Sequence, residues 1–172
     1  TEQPGVVEDL RPGEAPAERA MRLAHAKAQA VAARHPADWV LASDQVADCG
    51  GRILEKPGDA ENCREQLRAC SGRSVHFFTA AVLMCQTTAG IHRHVDRTTV
   101  RFRRLEPGEI ARYVDRDRPF DCAGGFRCEG LGIALFDAIE TSDPTALVGL
   151  PLIWLAGALR EAGHDPLAEV QP

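Results

Sequence analysis

The stretch WVLASDQVADCGGRILEKP, residues 39–57, decides how this chain is read. Trp39 to Ala42 form an apolar run, and a bare carboxylate, Asp44, follows it. Gly50-Gly51 marks a tight turn, because adjacent glycines supply the positive φ angles of a two-residue hairpin. Lys56 then stands immediately before the rigid corner of Pro57. The pattern predicts a strand over 39–46, a hairpin at Gly50-Gly51 and a return strand over 52–54. A core strand that ends on an acid points towards a crevice, since ligands of α/β sheets gather at the carboxyl ends of strands. The bland alternative is a turn-initiating aspartate satisfied by backbone amides.

The same reasoning extends outward in both directions. Residues 1–15 carry Pro4, Gly5, Pro12 and Gly13 and read as a loop. A helix is expected from Pro16 to about Arg34, with Ala20, Leu23, Ala24, Ala30 and Val31 as its apolar stripe and Lys27 in the middle of it. Asp59 can cap a helix that runs to about Ser71, with Ala60, Cys63, Leu67 and Cys70 inward and Gly72 as its stop. Residues 74–84 and 91–102 read as successive antiparallel strands, the second with Arg93, Arg97, Arg101 and Arg103 on alternating positions and so with one wet face. A short helix over about 107–115 precedes the loop DCAGGFRCEGLG, residues 121–132. A strand over 133–139 and a last helix from Gly149-Leu150-Pro151 to Gly163 complete the chain. The expectation is a single α/β domain with a mixed central sheet flanked by helices.

Composition narrows the function. A chain of 172 residues, 44% hydrophobic and 26% charged, has the size and composition of one globular domain. A net charge of −5 argues against general binding of polymeric nucleic acid or of a membrane surface. No apolar run approaches the roughly 20 residues that span a bilayer, and no signal peptide is visible, so a cytoplasmic protein is expected. The six cysteines lack CxxC spacing and several fall in apolar periodic segments, which reads as reduced, mostly structural thiols and no zinc site. His92-x-His94 reads as part of a solvated strand.

Four features are hard to explain as structure alone. Lys27 on the inward face of a helix either snorkels to water or meets an anion. Asp44 and Lys56 supply a carboxylate and a second cation at the ends of the opening hairpin. Together they suit a polyanionic ligand and a hard metal ion, because Mg²⁺ takes carboxylate and phosphate oxygens while lysines act on phosphates as point charges. The glycines of 121–132 allow close backbone approach to a ligand. Glu129 within that loop can accept two hydrogen bonds from adjacent N–H groups of a base, or can be an ordinary solvated glutamate.

ASDQ (42–45), EKP (55–57), RLAHAKA (22–28), DCAGGFRCEGLG and DPTALVGLP (143–151) together resemble the Maf family of nucleoside-triphosphate pyrophosphatases, in the right order across nearly the whole chain. The resemblance is greatest to the branch associated with 7-methyl-GTP, on account of Gln45, Cys122 and Glu129. It implies a Maf/ITPase-like fold and a reaction dependent on Mg²⁺ or Mn²⁺, in which water attacks the α-phosphorus to give a monophosphate and pyrophosphate. It implies Asp44 as proton acceptor, Lys27 and Lys56 near the triphosphate, Glu8 beside Asp44 on the metal, and Gln45 and Glu129 as base-specificity positions. It implies a homodimer. The family pattern also begins with a strand and a phosphate-binding S-x-S-P-x-R-R segment that have no counterpart before the PGVVED stretch, and the expectation is that the sequence is a fragment of a longer protein. Two alternatives are kept: a dTTP/UTP or broad house-cleaning pyrophosphatase, and a non-catalytic nucleotide-binding regulator of cell division.

Overall fold

In the computed structural model, which describes residues 1–168, apolar periodicity and turn chemistry set the elements. Helix α1 (Pro16–Ala32) starts with proline in its first turn and with the Glu18 carboxylate accepting from the Ala15 N–H at 3.3 Å. Strands β1 (Val40–Cys49) and β2 (Arg52–Leu54) form the hairpin, and Gly50 and Gly51 take the positive φ angles of 63° and 89° that its turn requires. Helix α2 (Ala60–Cys70) is capped by Asp59, whose side chain accepts from the Asn62 N–H at 2.9 Å. Strands β3 (Ser74–Cys85) and β4 (Gly90–Phe102), helix α3 (Pro107–Asp117), strand β5 (Phe136–Glu140) and helix α4 (Leu152–Glu161) follow.

The strands pair in the order β2-β1-β3-β4-β5, and every pairing among the described residues is antiparallel. The expected mixed sheet is corrected here. Tight turns after β1 and β3 force their hairpin partners to run antiparallel. The crossover through α2 joins the parallel strands β2 and β3, but β1 lies between them, so no parallel ladder forms.

Two further boundaries differ. β1 continues to Cys49, so Asp44 lies in mid-strand opposite Ala80 and is not a strand end. An unpaired carboxylate would disfavour that position; the partner that permits it comes from α1. Residues 131–135 form a short 3-10 helix, and β5 starts only at Phe136. Arg93, Arg97 and Arg101 are exposed as expected, whereas Arg103 lies past the end of β4, half-buried and paired with Glu109 at 3.0 Å.

The two faces of the sheet are packed differently. On one, Ala20, Ala24 and Ala28 of α1 meet Val46, Ala80 and Val82. Ala20, Leu23 and Ala24 are buried on α1 as expected, but the stripe continues through Ala28 and Ala32 rather than through Ala30 and Val31. On the other face, Cys63 and Leu67 of α2 and Ile110 and Val114 of α3 pack with Val75, Phe77, Val100 and Phe102. Phe126 of the glycine loop inserts into this layer, edge-on to Phe77 and Phe136 with centroids 5.3 and 4.7 Å away. Gly124 and Gly125 carry the backbone past this contact at φ 78° and 70°, and a Cβ on either would stand 3.1 Å from Phe77 or the Cys63 sulfur. All six cysteines are free thiols. His92 and His94 pack against Trp39 and Trp154 rather than standing in solvent, the second stacked at 5.5 Å. No helix among the described residues is long and apolar enough to cross a membrane.

Candidate active site

A cleft of about 530 Å³ opens across the edge of β1, within the size range of small-molecule sites. The opening exists because β2 pairs with β1 only over Ala47–Cys49, leaving residues 40–46 paired on the β3 side alone among the described residues. Glu8, Lys27, Asp44, Gln45, Lys56 and Glu129 all line this cleft. The six positions singled out in the sequence therefore share one cavity.

α1 forms the charged wall. Arg19, Leu23 and Lys27 follow one another at intervals of four residues, so one helical face delivers all three to the cleft. Lys27 does not snorkel into bulk water. Its Nζ lies 2.6 Å from Asp44 Oδ1 and 2.6 Å from Glu8 Oε1. Glu8 reaches this point because the 1–15 segment is laid along α1 by Glu2 to Arg34 and His35, and by Glu14 to Arg22 at 2.6 Å. Lys56 is exposed on the far wall, just after β2.

The two carboxylates on Lys27 are not equivalent. Burial pushes the Asp44 carboxyl above its ordinary range, and the Lys27 ammonium opposes this without cancelling it. Glu8 is half exposed, and its hydrogen bond from Lys27 outweighs burial and holds it below the ordinary range. Lys27 itself is held more basic than usual: burial disfavours the ammonium, but the bonds to Asp44 and Glu8 outweigh that. The same ammonium thus meets two carboxyls shifted in opposite directions, Asp44 upward by burial and Glu8 downward by its hydrogen bond.

Side chains alternate across a strand, so Ser43 and Gln45 face away from α1. Ser43 Oγ donates to the Gly149 carbonyl at 2.6 Å, tying β1 to the turn before α4. Gln45 Nε2 donates to Thr79 Oγ1 at 2.9 Å and to the carbonyls of Ala146 and Leu147 at 3.1 and 3.2 Å. Thr79 is fully buried and donates its own proton to Ala146 O at 2.9 Å. The amide nitrogen of Gln45 is thereby committed to the protein, leaving Oε1 as its free atom, an acceptor. Glu129, also on the cleft lining, is exposed and accepts from the Cys128 thiol at 3.4 Å. Burial pushes Cys128 up to about 11 and raises Cys122 as well, so neither cleft thiol is a thiolate nucleophile at neutral pH.

Sequence reasoning missed Arg19, Ser43 and Thr79. Arg19 had a readable signal, its spacing of eight residues from Lys27. Thr79 sits in an apolar run and had none.

The site defines a class: an α/β domain whose cleft is lined by the cations Arg19, Lys27 and Lys56 with the carboxylates Glu8, Asp44 and Glu55 among them, and by the acceptors Gln45 and Glu129. The chain belongs to the Maf-like protein family, whose pattern matches residues 1–162. It is 54% identical over 170 residues to the 7-methyl-GTP pyrophosphatase of Xanthomonas oryzae pv. oryzae (strain MAFF 311018), covering 96% of this chain and 87% of that protein. It is 48% identical over 166 residues to the 7-methyl-GTP pyrophosphatase of Bordetella pertussis, covering 95% and 81% respectively.

Proposed function

We propose that this protein is a nucleoside-triphosphate pyrophosphatase that hydrolyses 7-methyl-GTP to the monophosphate and pyrophosphate. The observation that carries the reading is the placement of Asp44 and Gln45. They are neighbours in β1, yet one faces the charged wall and the other the fixed acceptors of a single cleft. One nucleotide lying across the strand edge would meet both. The names carried by relatives at about half identity support the same substrate.

The chemistry follows from the charged side. Asp44 Oδ1 is held by Lys27, which leaves Oδ2 to take the proton of the attacking water. A bond forms from that water oxygen to the α-phosphorus, and the bond to the bridging oxygen of the departing pyrophosphate breaks. Negative charge grows on the phosphate oxygens and the leaving group, and Lys27 and Lys56 stabilise it selectively. A divalent cation suits the donors present. Glu8 and Asp44 already converge on one cation, the Lys27 ammonium, each through one carboxylate oxygen. No group of three or more His, Cys, Asp or Glu suited to a metal occurs among the described residues, so the protein would offer two carboxylates and leave the rest to phosphate and water. When bound, Mg²⁺ or Mn²⁺ would neutralise phosphate charge.

The base side favours guanine. Gln45 Oε1 and Glu129 are both acceptors, matching the adjacent N1–H and N2–H donors of a guanine edge. A uracil or thymine ring offers one N–H between two acceptors. The family likeness also supports a homodimer acting in the cytoplasm. Incubation with a triphosphate panel and Mg²⁺ or Mn²⁺ tests the reading. Preferential release of pyrophosphate from 7-methyl-GTP is expected. Equal or faster turnover of dTTP and UTP would reject the base assignment, and no pyrophosphate from any substrate would reject the enzyme.

A further inference from the structure

Arg19 is a cation of the cleft that neither the family motifs nor the mechanism above uses. Its side chain is 9% exposed, and its Nη1 is bonded to Glu55 Oε1 at 2.9 Å. Its Nε is buried and has no hydrogen-bond partner among the described residues. Glu55 is 60% exposed, so this pair joins a buried guanidinium to a carboxylate largely in water. Such a half-solvated pair returns little net stability, less than the desolvation of the buried ion costs. A guanidinium cannot lose its charge to relieve that cost, and it presents five donors in a planar fork suited to phosphate. Arg19 also shares the α1 wall with Lys27, while Glu55 immediately precedes Lys56.

We propose that Arg19 is a phosphate-binding residue of this cleft, and that Glu55 is its removable placeholder. In the free protein Glu55 holds Nη1. A pyrophosphate-type anion, either the end of a bound triphosphate or the departing product, displaces the carboxylate and takes the guanidinium fork. The alternative role for the same pair is a fixed clamp that positions Lys56 from α1. The two roles give opposite signs at Glu55. Removing a competitor improves anion binding, whereas removing half of a clamp weakens it.

The inference rests on the pyrophosphatase reading for its place in a reaction, but inorganic pyrophosphate binding tests it separately. Titration calorimetry of the whole protein with inorganic pyrophosphate should show R19M binding at least tenfold more weakly than wild type. R19K should fall between the two, because a point charge replaces the fork. E55Q should bind several-fold more tightly, and in turnover R19M should raise KM more than it lowers kcat. E55Q that binds pyrophosphate no more tightly than wild type overturns the proposal, as does R19M within twofold of wild type. If R19M does not fold, the exposed E55Q change still decides the matter. Arg19-dependent pyrophosphate binding without turnover of any triphosphate would instead reject the enzyme reading and leave this one standing.

Discussion

The two sides of β1 hold their polar groups in different ways. On the α1 side, charges are shared and exchangeable. One ammonium serves both Asp44 and Glu8, and buried Arg19 leans on an exposed glutamate. On the other side, Gln45 is fixed by bonds to Thr79, Ala146 and Leu147. Charges that can change partner suit a polyanion whose charge shifts during reaction, while a locked amide suits recognition of a base that does not react. The strand separates chemistry from selection by one residue.

The largest expected effect breaks the charged side alone. Asp44→Asn should lower pyrophosphate release by roughly a thousandfold, within the range for loss of a positioned general base. Discrimination measured by binding of 7-methyl-GTP against UTP should survive. A pure nucleotide-binding regulator would instead keep its cellular effect in this variant. Glu129→Gln breaks the other side. The ratio of kcat/KM for 7-methyl-GTP over UTP should fall by about tenfold or more, the worth of one charge-assisted hydrogen bond, with UTP turnover little changed. An equal loss on both substrates would place Glu129 outside base selection.

A finer cut is Thr79→Val. The hydroxyl is buried and fixes the Gln45 amide, and its loss should cost about 1–3 kcal/mol in chemical denaturation. It should also reduce base discrimination several-fold by freeing the amide to rotate. Unchanged discrimination would mean that the amide orientation is set by the two carbonyls alone.

The smallest effect concerns the support of the Gln45 side. Asp143 caps α4, accepting from the Ile153 N–H at 2.7 Å and from the Thr145 hydroxyl at 2.6 Å. Burial raises its carboxyl, but these bonds outweigh it and hold it below the ordinary aspartate range. A depressed folded value contributes stability that is complete above the unfolded value and is lost as pH falls through the folded one. Asp143→Ala should therefore cost about 1–2 kcal/mol at neutral pH, and the gap to wild type should close as pH drops from about 4 downwards. A constant gap across that window would assign the effect to packing.

Much of this was readable from local pattern. The helices, the Gly50-Gly51 turn and the Asp59 cap follow from chemistry within a few residues, and the element types hold. What failed depended on partners distant in sequence. β1 runs through Asp44 because Lys27, seventeen positions earlier, neutralises it. The sheet direction depended on β1 lying between β2 and β3, which no local signal records. Asp44 and the two lysines stand out as oddities in otherwise apolar or turn-like settings, whereas Glu8 is pointed to by the family resemblance alone. Thr79 was hidden because a threonine in an apolar strand is ordinary, and only its neighbours reveal its bonds. Arg19 stands in none of the quoted motifs, although its spacing from Lys27 places it on the same face.

The central claim is that one nucleotide bridges both sides of β1, and a crystal structure of the Asp44→Asn variant with 7-methyl-GTP tests it directly. The account predicts the α-phosphate beside position 44, the outer phosphates among Lys27, Lys56 and Arg19, and the guanine edge on Gln45 Oε1 and Glu129. A base lying on the α1 side with its phosphates, or one bound away from Gln45 and Glu129, would contradict it.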